Sequence, residues 1–71
     1  MRSVTKREVL EAADWCEAVA DGRTAEMPRP VPGSSVQMLS WDMMQPDMLP
    51  PRSAAYALRE GHVPVGWKVT E

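Results

Sequence analysis

Thr5-Lys6-Arg7-Glu8-Val9-Leu10-Glu11-Ala12-Ala13-Asp14-Trp15-Cys16-Glu17-Ala18-Val19-Ala20-Asp21-Gly22 is the stretch that decides the fold. Its first four residues fit a capping box, in which the Thr5 hydroxyl accepts from the amide of Glu8 and the Glu8 carboxylate accepts from the amide of Thr5. No Pro or Gly interrupts residues 6 to 21. Gly22 follows as the expected left-handed terminator, so a helix is predicted from Lys6 to Asp21. At 100° per residue, Val9, Leu10, Ala12, Ala13, Trp15, Cys16, Val19 and Ala20 cover an apolar arc of about 220°, wider than the ~100° a one-sided surface helix needs. Such a helix has enough apolar surface to pack internally and still offer some to a partner. Asp14, Glu17 and Asp21 form an acidic row on the opposite side. Glu17 and Asp21 lie near the negative end of the helix dipole, where they do not stabilise the helix. The row reads either as a solvated face or as an acidic docking strip.

Downstream, Gly22 to Ser35 is a connector. Pro28, Pro30 and Pro32 alternate within it and hold it in an extended, polyproline-like path. Ser35 to Gln45 is ambiguous. Val36, Leu39 and Met43 have helical spacing, whereas Val36, Met38 and Ser40 would share one face of a strand. A short helix is favoured, capped by Ser34 or Ser35 and ended by Pro46. A further short helix is expected over Ala54 to Glu60, with Pro50-Pro51-Arg52-Ser53 leading in and Gly61 leading out. Val63, Val65, Trp67 and Val69 then alternate with Pro64, Gly66 and Lys68, which predicts a strand, with Pro64 placing it at an edge. One strand cannot satisfy its own backbone. Its partner is expected from residues 35 to 41, from a second copy, or from a target.

These elements describe one small, mainly α domain over residues 1–71, with the connector at 22–35 inside it and a short C-terminal strand; a small α+β domain is the alternative. A chain of 71 residues hides only roughly 60% of the surface its unfolded form exposes. Its bulky apolar side chains are eight Val, six Met, four Leu, three Trp and one Tyr, without Ile or Phe. The core is thin, and such a chain gains from a partner or from its own copy.

Cys16 is the only cysteine, which excludes an intrachain disulfide, a CxxC motif and a thiolate metal cluster, and fits a reducing, cytoplasmic setting. No segment approaches the ~20 apolar residues of a membrane span, and the first residues lack the apolar run of a signal peptide. Two Lys against six Arg, with Asn, Ile and Phe absent, is the usage of a GC-rich genome and suggests a bacterial phage or mobile-element origin. The net charge of −2 argues against binding that neutralises many phosphates, although a local basic patch would be compatible with it. With one His, one Cys and one Tyr, nucleophilic catalysis has no signature, and no glycine-rich phosphate loop occurs. No enzyme, cofactor or metal site is expected. His62 reads as a surface or packed residue and Cys16 as a small hydrophobe.

The most unusual composition is Met38, Met43, Met44 and Met48 interleaved with Trp41 and Leu49. Methionine suits adaptable surfaces and tryptophan is enriched at interface hot spots; the same residues also suit the core of a protein without Phe. The expected function is therefore that of a small non-enzymatic protein-binding accessory or inhibitor, with a homodimer as the default assembly. Its contact residues would be Trp15, Asp14, Glu17 and Asp21 on one surface, and Trp41, Met43, Met44 and Trp67 on another. A structural subunit of a larger assembly is a second possibility.

Ser53-Ala54-Ala55-Tyr56-Ala57-Leu58-Arg59-Glu60-Gly61-His62-Val63-Pro64, with Trp67-Lys68-Val69 after it, resembles the recognition helix and wing of small excisionase-like and MerR-like winged helix-turn-helix proteins. It is one residue short between Tyr56 and Gly61, and Pro46, Pro50 and Pro51 fall where that motif has helix and turn. The resemblance implies DNA binding, with Arg52, Arg59 and Lys68 facing phosphates or base edges.

Overall fold

The computed structural model describes residues 2–45 and 49–70. The chain is mainly helical: strand β1 (Arg2–Thr5), helix α1 (Lys6–Asp21), helix α2 (Ser35–Met44), helix α3 (Pro51–Arg59) and strand β2 (Trp67–Thr70), with a 3-10 turn at Thr24–Glu26. Both arms of the capping box are formed. The Thr5 amide donates to Glu8 Oε1 at 2.9 Å and the Glu8 amide donates to Thr5 Oγ1 at 3.1 Å. Gly22 closes the helix at φ 70°, where its amide and that of Arg23 return to the carbonyls of Val19 and Ala18. A left-handed residue there releases the chain sharply into the connector.

Residues 35–44 are helical, and Ser34 rather than Ser35 is the cap, accepting from the Gln37 amide at 3.2 Å. Gln45 is extended at φ −63° and ψ 152°, as the residue before a proline is constrained to be. Pro46 itself and Met48 lie outside the described residues. Helix α3 begins at Pro51, earlier than expected, because proline at the first helical position loses no hydrogen bond and already has the required φ.

The C-terminal strand differs from expectation in both extent and partner. It begins at Trp67 rather than Val63, since Pro64 to Gly66 make a turn in which the Trp67 amide donates to the Pro64 carbonyl at 3.2 Å and Gly66 sits at φ 94°. The alternation of valines continues through a turn, and Val65 is left fully exposed. The pairing strand is β1, parallel, in the register Arg2↔Trp67, Ser3↔Lys68, Val4↔Val69 and Thr5↔Thr70. Residues 35–41 are unavailable because they are helical, and neither a second copy nor a target is needed for this pair. A parallel pair requires a long crossover, and here all three helices supply it.

The core lies where α1 crosses α2 and α3 beneath the sheet. Val4, Val9, Ala12, Ala13, Cys16, Leu39, Met43, Ala54, Ala55, Leu58 and Trp67 form one cluster. Small side chains meet where α1 faces α3, with Ala12, Ala13, Ala54 and Ala55 all buried, so these two helices approach closely and share the most extensive helix contact. The polar Ser40 is buried in this layer and donates to the Val36 carbonyl at 2.8 Å, which meets the hydrogen-bond demand of a buried hydroxyl. No described helix is long and apolar enough to cross a membrane.

Candidate protein-binding surface

Helix α2 turns Leu39, Ser40 and Met43 inward. Trp41 stands about 200° round the helix from Leu39 and is therefore directed outward, 66% exposed. Beside it is a surface groove of about 700 Å³. Trp15 of α1 and Met44 of α2 line it on the helical side, and Pro30, Val31 and Pro32 form the wall contributed by the connector. Val31 is itself 69% exposed. The turn that places this wall is fixed by two hydrogen bonds, from the Ser34 amide to the Val31 carbonyl at 3.0 Å and from the Gly33 amide to Gln37 Oε1 at 2.6 Å. An uncovered aromatic at the lip of an apolar hollow is the arrangement of an interface anchor.

The residues singled out from sequence divide into three groups. Trp15, Trp41 and Met44 come together at this groove. Met43 and Trp67 are in the core instead, 3% and 8% exposed. Trp67 donates its indole N–H to Asp42 Oδ2 at 2.8 Å, and the Arg2 guanidinium stacks 5.5 Å from its ring centre. Both Met43 and Trp67 hold the domain together and offer no surface to a partner.

The third group is the acidic row, which is engaged within the chain. Asp14 and Glu17 both accept from Arg59, at 3.0 and 2.8 Å, and Asp21 accepts from Arg52 at 2.6 Å. The spacing of the carboxylates on α1 matches that of the arginines on α3 when the two helices run antiparallel, so the row joins α1 to α3. The Glu17 and Asp14 carboxylates raise the Arg59 pKa above its ordinary value, and Asp21 does the same for Arg52. Pairs this exposed add little to stability, but they fix which faces meet. The three cations assigned to DNA contact by the winged-helix resemblance are thus differently placed: Arg52 and Arg59 lie against carboxylates of α1, and Lys68 is exposed on β2.

Cys16 is fully buried, and burial pushes its thiol up to about 11, with the Ser40 hydroxyl drawing it only part of the way back. It is protonated and shielded at neutral pH, which is the condition of a packing residue. His62 is exposed, 3.8 Å from Glu60. Among the described residues, no three His, Cys, Asp or Glu side chains are grouped to hold a metal ion.

Sequence reasoning treated residues 22–35 only as a stiff connector and missed Arg29 to Pro32 as a wall of the groove. Val31, a bulky apolar residue held between two prolines, was the available signal. It also missed Arg2, whose contact with Trp67 depends on bringing β1 beside β2, and Asp42 of α2, which accepts from the Trp67 indole. The chain matches no protein-family model, no curated protein and no solved structure.

Proposed function

We propose that this protein is a non-catalytic protein-binding module whose contact surface is the groove beside Trp41. The exposure of Trp41 carries the reading. A side chain able to bury roughly 150–250 Å² is left two-thirds uncovered by a domain too small to leave apolar area unused without cost. Trp15, Val31 and Met44 around it extend the patch, and the prolines of the wall are stiff enough to keep it preformed, which lowers the entropic cost of binding. An accessory or inhibitor role is the form of activity that a small, rigid, apolar contact face suits. Residue usage supports an origin in a phage or other mobile element, and the single shielded thiol supports a reducing, cytoplasmic setting. The winged-helix reading draws less support. Arg52 and Arg59 face carboxylates of α1, and β2 pairs in parallel with β1 where a wing would fold back as a hairpin.

The test is capture by a tagged chain from a bacterial lysate that also contains the untagged protein. One stoichiometric partner is expected, lost with Trp41→Ala and retained with Tyr56→Ala, an equally exposed aromatic on α3. Recovery of nothing by the folded wild-type chain would contradict the proposal.

A further inference from the structure

We propose that the groove is covered by a second copy of this chain, arranged so that Trp41 of each copy enters the groove of the other. This inference rests on the reading of the groove as a protein-contact site. A two-fold contact repeats every residue pair in reverse, so a suitable patch must carry both halves of its own complement. This one carries a projecting indole and, immediately beside it, a hollow walled by Trp15, Pro30, Pro32 and Met44.

The charges around the patch have the same property. Arg29 lines this groove and also the adjoining one, which Glu11 lines as well. Arg29 takes part in none of the ion pairs among the described residues, and Glu11 is paired only with Arg7, at 4.0 Å, between side chains 54% and 90% exposed. An unpaired cation and a weakly held anion therefore flank one apolar patch. Under a two-fold axis each Arg29 meets the partner's Glu11, so the pair occurs twice. A partner of a single charge sign would satisfy only one of the two.

A standard contact takes about 800 Å² from each partner, about a sixth of the 4783 Å² that this chain exposes, so the contact extends well beyond the groove itself. Covering that share also compensates for a core limited by chain length.

Sedimentation equilibrium over roughly 1–500 µM tests the proposal across the range of a weak to moderate dimer. The wild-type chain is expected to shift from monomer to dimer as concentration rises. Trp41→Asp should remain monomeric throughout. Arg29→Glu and Glu11→Arg should each raise the dimer Kd about tenfold or more through like-charge contact, and the double variant should return towards the wild-type value. All these positions are exposed, and circular dichroism checks that each variant is folded. A wild-type chain that stays monomeric overturns the proposal, as does a dimer indifferent to Trp41→Asp or a double variant no better than the single ones. If the wild type is monomeric while lysate capture still yields a different protein that Trp41→Ala loses, the second copy is refuted and the binding function stands.

Discussion

Trp67→Ala is expected to remove about 3–5 kcal/mol of folding free energy, the range for deleting a buried aromatic side chain. A domain of this length has about 4–11 kcal/mol in total at the usual 0.05–0.15 kcal/mol per residue, so the variant should be partly or wholly unfolded at 37 °C. The size of the effect follows from how many elements meet at one ring. Trp67 begins β2, pairs with Arg2 of β1, belongs to the same core cluster as Leu39 of α2, and bonds through its indole N–H to Asp42. Both ends of the chain are therefore held at this residue. Trp67→Phe separates the contributions. It keeps most of the apolar volume but leaves the Asp42 carboxylate without its donor, and a loss of about 1–3 kcal/mol is expected. Urea denaturation followed by circular dichroism measures both. A loss below about 1 kcal/mol for Trp67→Ala, the level of an ordinary surface substitution, would show that the ring does not join these elements.

The second large effect is expected at Leu39, whose side chain has no solvent exposure. Leu39→Ala leaves a cavity among α1, α2 and α3 and should cost about 2–5 kcal/mol, whereas Leu39→Met, close in volume, should cost under about 1.5 kcal/mol. Trp41 is only two positions further along the same helix, yet Trp41→Ala should change the stability of the isolated monomer by no more than about 0.5 kcal/mol. Denaturation at low protein concentration, where self-association does not contribute, checks the pair. A small loss at Leu39 with a large loss at Trp41 would mean that α2 faces the opposite way.

Much of this arrangement was legible along the chain because it is encoded by local chemistry. The Thr5 and Glu8 cap, the Gly22 terminator and a serine cap at position 34 or 35 each concern residues within a few positions of one another. Val36, Leu39 and Met43 have a helical spacing that the packed side of α2 shares. Met43 was nevertheless grouped with Trp41 on a contact surface, and only the packing of α2 separates the buried Met43 from the exposed Trp41. The partner of β2 was not legible. Only Val4 within Arg2–Thr5 is apolar and buried, and one residue gives no period. Parallel pairing between chain ends leaves no local trace, because the register depends on how three intervening helices pack. The alternation from Val63 to Val69 was misleading for a related reason, since a turn built on Pro64 and Gly66 can carry valines in the same spacing as a strand. Trp67 was assigned to a surface on the strength of residue type. Its place in the core depends on the strand face that points at α2, which a single sequence does not specify. The acidic row of α1 remained ambiguous because its explanation lies on another helix: Arg52 and Arg59 meet Asp21, Asp14 and Glu17 only after the chain has turned back on itself.

The same contrast among the three tryptophans bears on function. Trp67 is consumed by the fold, Trp15 is partly buried where it lines the groove, and Trp41 is the one the fold leaves open. Hydroxyl-radical footprinting read residue by residue in the mass spectrometer tests this most directly. In dilute solution Trp41 should be oxidised fastest, Trp15 more slowly and Trp67 least, and on assembly protection should appear at Trp41 while Trp67 does not change. If Trp41 in the dilute chain is as protected as Trp67, the domain covers all of its own apolar surface and no contact face exists at this groove.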